Sequence, residues 1–176
     1  ISNFSQEIEY PEVRALYSIQ AAIESIHSET YSLMIATLIE NEDEKKQLFD
    51  AVNEVPVIKN KADWALKYIT QGDFNERLFA FIIIEGVFFS GSFCSIYWIK
   101  QQNKMPGLTM SNEFISRDEA LHCRTGITIY NKLQQRLTQE EAYRILNEAV
   151  NIEIEFINEI LDVDLIGMNK RLMAQY

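Results

Sequence analysis

Apolar residues recur every three or four positions along most of this chain, and short polar breaks divide the pattern into segments. Over residues 13–38, Val13, Leu16, Tyr17, Ile19, Ala22, Ile23, Ile26, Leu33, Met34 and Leu38 keep helical spacing, which predicts one long helix. Pro11 suits its first turn, and Asn41 its end. A polar break over residues 41–46 leads to shorter helices expected near 45–52 and 61–69, followed by a turn at Gly72-Asp73. Residues 104–107, Lys-Met-Pro-Gly, read as a loop, and 111–133 as another helix. Thr138 with Glu141 forms a capping-box pattern opening a helix over 140–161. No repeat, low-complexity tract or credible strand interrupts this order, so the expected fold class is all-α, a helical bundle.

Residues 78–99 stand apart, being apolar on every face except for Glu85, serines and glycines. Their length would suffice for a membrane span, but Glu85 would then lie in lipid as an expensive carboxylate. A central helix surrounded by other helices accounts for the pattern better, and no membrane partner is expected.

Composition narrows the picture further. At 176 residues and 47% hydrophobic, the chain has enough material for one domain with a core. Sixteen basic against 26 acidic residues give a net charge of -10, the wrong sign for a nucleic-acid surface. Two cysteines, Cys94 and Cys123, are too few for a disulfide scaffold, which points to a reducing, cytoplasmic setting. Cys94 and Cys123 read as small buried hydrophobes. Ile1 does not look like a natural start, and the last residues stop inside a helical pattern. The chain therefore reads as an internal piece of a longer protein, with residues 1–176 forming a single helical domain.

The candidate chemistry rests on histidine. There are two, His27 and His122, and each has a glutamate three residues before it: Glu24-Ser25-Ile26-His27 and Glu119-Ala120-Leu121-His122. With 19 glutamates in 176 residues, chance would place both with a probability of roughly 0.01. On a helix, positions i and i+3 share a face, about 5–6 Å apart at Cβ, so both side chains can reach one ion. Carboxylate oxygen with imidazole nitrogen suits iron or manganese better than a thiolate-preferring metal. Two Glu-x-x-His helices plus two single glutamates make the di-metal site of ferritin-like bundles. Glu85 supplies one single carboxylate. The residues leave the other open: Glu7, Glu9 and Glu12 fall in a polar, poorly helical lead-in, and Glu153 and Glu155 read as solvated, so a preceding helix is the expected source. Tyr31 follows His27 by four positions, on the same face and roughly 6 Å further along the axis. Phe89 and Phe93 follow Glu85 by four and eight positions, and Ile115 precedes Glu119 by four. These three apolar side chains could enclose the tyrosine.

Taken together, these residues resemble the small subunit of class I ribonucleotide reductase, of the eukaryotic and viral type. The likeness runs along the whole chain. It rests on Phe4-Ser5-Gln6-Glu7, Ile26-His27-Ser28-Glu29-Thr30-Tyr31-Ser32-Leu33, Lys61-Ala62-Asp63-Trp64-Ala65-Leu66 and Glu85-Gly86-Val87-Phe88-Phe89-Ser90-Gly91-Ser92-Phe93. It continues in Met105-Pro106-Gly107-Leu108-Thr109, Ser116-Arg117-Asp118-Glu119-Ala120-Leu121-His122-Cys123 and Leu165-Ile166-Gly167-Met168-Asn169.

The resemblance implies a ferritin-like helical bundle in which Glu24, His27, Glu85, Glu119 and His122 bind two iron ions, with manganese as the alternative. It places the sixth ligand, an aspartate, on a helix before the matched stretch. Tyr31 matches the tyrosine that is oxidised to a stable radical, and Phe89, Phe93 and Ile115 the pocket that protects it. Asp118 matches a carboxylate that hydrogen-bonds a ligand histidine, here His27, and begins the radical-transfer chain, with Arg117 beside it. The implied partners are a second copy of the subunit and the large catalytic subunit, where ribonucleoside diphosphates are reduced to deoxyribonucleotides. The absence of a Gly-rich phosphate loop agrees with a subunit that binds no nucleotide. Tyr31 and its apolar surround separate this reading from an iron store. The five ligands together with Tyr31 separate it from a non-catalytic scaffolding paralogue.

Overall fold

A computed structural model describes residues 1–161, 165 and 167–176. Ile166, quoted above among the matched motifs, lies outside the described residues. Among these residues the secondary structure is helical apart from one isolated bridge between Leu165 and Met168. The chain divides into two compact units, Ile1–Phe49 and Asp50–Tyr176.

The first unit contains α1 (Ser2–Glu7), α2 (Pro11–Leu38) and α3 (Glu42–Phe49). The lead-in expected to be poorly helical thus forms a short helix. Phe4 anchors it, with its ring 5.4 Å from that of the fully buried Tyr17 on α2. Pro11 sits in the first turn of α2, where its fixed φ is preorganised and its missing N–H costs nothing. The serine and threonine content of α2 is reconciled with a helix by back-bonding: the hydroxyls of Ser18, Ser25, Thr30, Ser32 and Thr37 each donate to the carbonyl four residues earlier.

The faces of α2 are inverted relative to an ordinary amphipathic helix. Its buried residues are Tyr17, Gln20 and His27, with half-buried Glu24 and Tyr31 in the same three–four phase. Ile19, Ile26 and Leu33, seven residues apart, are 65%, 57% and 60% exposed. Burying polar groups while exposing isoleucines is unfavourable for the fold alone.

The second unit contains α4 (Ala51–Glu54), α5 (Pro56–Gln71), α6 (Phe74–Ile83), α7 (Ser90–Gln101), α8 (Pro106–Tyr130), α9 (Gln139–Ile160) and α10 (Lys170–Gln175). Two capping boxes start helices in it. Asp73 pairs with Glu76 at α6, and Thr138 with Glu141 at α9. The loop before α8 is shorter than expected, since Pro106 already opens the helix, and Asn103 and Met105 take left-handed backbone angles ahead of it. The core is built from Trp64, Tyr68, Ala80, Ile83, Phe88, Ile145 and Ala149. The Trp64 ring packs 4.7 Å from Tyr68 and 5.0 Å from Phe88.

The apolar stretch expected as one uninterrupted helix over 78–99 is interrupted. Between α6 and α7, Ile84–Phe88 form a π-turn, the widened i→i+5 geometry often found at functional sites. Phe74–Gln101 has the length and hydropathy of a membrane span, and 28% of its most apolar window is buried. Its covered side meets α5, α8 and α9, and the Tyr97 hydroxyl lies 2.7 Å from that of Ser116 on α8; Phe89 is 37% exposed. It is therefore covered on part of its circumference rather than all round. Against α6 the approach is close: a Cβ on Gly126 of α8 would lie 2.6 Å from Ile82 Cγ1. Glycine there lets α8 press against the segment that carries Glu85.

Candidate metal centre

Each of the two Glu-x-x-His pairs sits on a long helix, so the spacing converts directly into geometry. On α2, His27 Nδ1 lies 3.4 Å from Glu24 Oε2. On α8, His122 Nδ1 lies 3.3 Å from Glu119 Oε2. The i, i+3 register therefore does what helical geometry requires of it in both places.

In the second unit a third group joins the pair. The π-turn directs Glu85 toward α8, where its Oε2 stands 3.4 Å from the same His122 Nδ1. One ligand atom each from Glu85, Glu119 and His122 lie within 4.8 Å of one another. All three side chains are buried, at 7%, 4% and 7% exposure. Two buried carboxylates and one imidazole bring several lone pairs together in one place. A divalent cation would neutralise the two carboxylates and accept the ring nitrogen. Oxygen and nitrogen donors without thiolate fit iron or manganese. The donor set thus fits the metal that the sequence implies.

The surroundings fit as well. A cavity of about 390 Å³ is lined by Glu85 and Glu119 together with Phe93, Cys94, Cys123 and Arg124. Burial, and secondarily the Glu85 carboxylate, pushes the Cys123 thiol up; burial alone does the same for Cys94. Both are half-buried rather than fully buried as the sequence reading expected. Both are free cysteines.

The other sequence-derived residues are found as follows. Tyr31 is half-buried on α2, and Asp118 half-buried on α8, while Arg117 is exposed. Ile115 is buried at 4% exposure. Phe89 is 37% exposed, its ring 5.9 Å from that of Phe93. Phe89 directly follows the π-turn.

Glu153 corrects the sequence reading outright. Expected to be solvated, it is 7% exposed and holds the Lys61 ammonium at 2.5 Å. The signal was in the spacing, since Ile145, Ala149, Glu153 and Ile157 form a single four-residue stripe on α9 and are all buried. Glu155, by contrast, is exposed as expected.

The sequence model of the family described as ribonucleotide reductase, small chain, matches residues 1–176. The ribonucleoside-diphosphate reductase small subunit of Dictyostelium discoideum is 53% identical over 176 residues, which are 99% of this chain and 52% of that protein. Subunit M2 of the human enzyme is 48% identical over 178 residues, 100% of this chain and 46% of that protein. Among solved structures, the ribonucleotide reductase Rnr4 homodimer from Saccharomyces cerevisiae matches with a TM-score of 0.87 at 31% identity. That match covers 98% of this chain and 55% of the yeast one. The chain thus spans about half the length of these curated relatives. The fold is all-α and ferritin-like, as the periodicity and the resemblance predicted.

Proposed function

The chain belongs to the ribonucleotide reductase small-chain family, and from that membership we propose that it is the metal- and tyrosine-bearing part of a ribonucleoside-diphosphate reductase small subunit, an oxidoreductase component. Small chains of this family are di-iron proteins. The observation that carries the reading is the meeting of Glu85, Glu119 and His122 inside an otherwise apolar region. The family resemblance makes residues 1–176 one ferritin-like domain and assigns Glu24 and His27, like Glu85, Glu119 and His122, as ligands of its di-metal centre.

Bound there, a di-iron pair (or its manganese counterpart) supplies the oxidising power from O2 that no side chain provides. The chain's own residues supply the rest. The five ligands fix the metals' positions, and their carboxylates offset the metals' charge in a buried place. Tyr31 gives up one electron and its phenolic proton, and the resulting tyrosyl radical is stored. Phe89, Phe93 and Ile115 keep water and reductants from it. Asp118 holds the His27 ring in orientation, and with Arg117 begins the route by which the oxidising equivalent leaves. That equivalent goes to a large catalytic subunit, where ribonucleoside diphosphates are reduced to deoxyribonucleotides.

A second copy of the subunit is the proposed partner for the apolar Ile19, Ile26 and Leu33 stripe of α2, consistent with the homodimer of the yeast relative. The free thiols Cys94 and Cys123 are consistent with a cytoplasmic location.

The test is anaerobic loading of the full-length subunit with Fe(II), followed by O2. About two irons per chain and a paramagnetic resonance signal that disappears in Tyr31→Phe are expected. Iron without any radical in the unmutated protein would refute the radical-generating role, and failure to bind iron would refute the site.

A further inference from the structure

The Glu85 π-turn ends against a buried ion pair that belongs to neither the metal centre nor the apolar core. Lys61 comes from α5 and Glu153 from α9, and their side chains are only 14% and 9% exposed. Lys61 Nζ donates to the Phe88 carbonyl, the last of the π-turn, at 2.8 Å. It also lies 3.5 Å from the centroid of the Phe156 ring. Glu153 Oε1 accepts from the backbone N–H of Gly91, in the first turn of α7, at 3.2 Å. With the 2.5 Å contact between Lys61 Nζ and Glu153 Oε2, the side chains close a bridge from a carbonyl on one side of the π-to-α junction to an N–H on the other.

A buried ion pair is a poor means of stabilising a core, because desolvation cancels much of its attraction. This one is spent on two backbone groups three residues apart, where the helix changes pitch. Glu85 is three residues upstream of Phe88, within the same π-turn. The pitch of that turn decides where its carboxylate points.

We propose that Lys61 and Glu153 are positioning residues for the metal centre: they clamp the end of the π-turn and thereby fix the Glu85 carboxylate relative to Glu119 and His122. The inference rests on the metal-binding reading of those three residues. It also gives Gly91 a purpose, since a Cβ there would lie 2.7 Å from Glu153 Oε1 and 2.2 Å from Ile157 Cδ1. Only glycine admits the carboxylate to its backbone partner.

The polarity of the bridge makes the clamp testable. In Lys61→Glu/Glu153→Lys the ion pair can re-form, but a carboxylate cannot donate to the Phe88 carbonyl and an ammonium cannot accept from Gly91. In Lys61→Met/Glu153→Leu the pair is removed without stranding a charge. Both would be made in the full-length subunit and titrated with Co(II), recording the visible d–d bands as well as affinity. Thermal melts of the metal-free proteins would accompany the titration. The clamp predicts folded variants whose Co(II) affinity falls about tenfold, the order found for residues that orient metal ligands, with altered d–d bands in both. Affinity within twofold and unchanged bands in either folded variant would overturn it.

Hydrogen exchange of the unmutated protein gives a second measure that needs no variant to fold. Coupling between clamp and metal is reciprocal, so Co(II) must slow exchange of backbone amides in the 88–93 stretch; unchanged exchange there overturns the proposal. If the unmutated subunit binds no Co(II), the metal-centre reading itself fails, and the clamp with it. Normal binding with indifferent variants removes the clamp alone.

Discussion

Replacing Gly91 with alanine asks how closely α7 must approach α9. A Cβ at this position would stand 2.2 Å from Ile157 Cδ1, 3.0 Å from Ile157 Cγ1 and 2.7 Å from Glu153 Oε1. Alanine gains at most about 1 kcal/mol from helix propensity, and less in the first turn of α7. Against this, overpacking a filled interior costs about 1–3 kcal/mol. Displacing Glu153 weakens a hydrogen bond to a charged group, worth about 1.5–3 kcal/mol. The net expectation is a loss of about 2–4 kcal/mol, or about 10 °C in Tm for a domain of this size. Urea unfolding of the metal-free subunit, with chelator present, would measure it. Ile157→Val removes the very Cδ1 atom that the new methyl would strike. Alone it should cost about 0.5–1.5 kcal/mol; in the Gly91→Ala background it should cost less or turn favourable, a coupling of about 1 kcal/mol. A Gly91→Ala protein as stable as the unmutated one, or strictly additive double mutants, would refute this reading of the contact.

Three further outcomes are expected. Glu85→Gln removes one of two carboxylates that converge in a buried site, so it should raise the Tm of the metal-free protein while lowering Mn(II) affinity at least about tenfold, the trade of stability for function seen at such sites; a lowered metal-free Tm would contradict it. Excess Mn(II) should stabilise the unmutated fold, by about 2.7 kcal/mol at a hundredfold excess over Kd, and chelator should reverse the shift in a melt. At Glu148, burial pushes the carboxyl up, but the Lys67 ammonium, the Tyr68 hydroxyl and Arg144 together outweigh it and hold the group below its ordinary value. Its contribution to stability is therefore present above the unfolded carboxylate value, about 4.3, and is lost as pH falls through the lower folded value. Melts between neutral and acid pH should show a shallower acid limb in Glu148→Gln, and identical limbs would exclude the effect.

Much of this architecture was legible because long helices impose a single period. The stretch over 13–38 became α2, starting two residues early at Pro11 and ending at Leu38, while Asn41, expected at its end, instead accepts from the Asp43 and Glu44 backbone N–H groups at the start of α3; the Thr138–Glu141 capping box opened α9 as written. The site was legible for the same reason: at i and i+3 the geometry leaves little freedom, and both Glu–His pairs came together at 3.3–3.4 Å. What escaped was whatever departs from that period. Inside a run of apolar residues nothing in the residue order distinguishes a five-residue π-turn from continuing α-helix. The clamp escaped because its partners lie on helices 92 positions apart in sequence, and charge alone suggests solvent. Only the phase of Glu153 with Ile145, Ala149 and Ile157 marked it as buried.

Glu85 and Glu153 show why burial of a carboxylate does not by itself reveal its role. Each is 7% exposed. Glu153 faces a lysine ammonium and a backbone N–H, so its charge is answered within the protein, and its remaining use is geometric. Glu85 faces a histidine and a second buried carboxylate, a set of oxygen and nitrogen donors suited to hold a metal ion. The same contrast separates the faces of α2, where Tyr17, Gln20 and His27 are buried while Ile19, Ile26 and Leu33 are exposed. A chain selected for stability alone would reverse those faces. Retaining them inverted, with Glu153 locked by a lysine ammonium and Glu85 gathered with Glu119 and His122 into one donor set, is what a fold built around a buried metal centre requires.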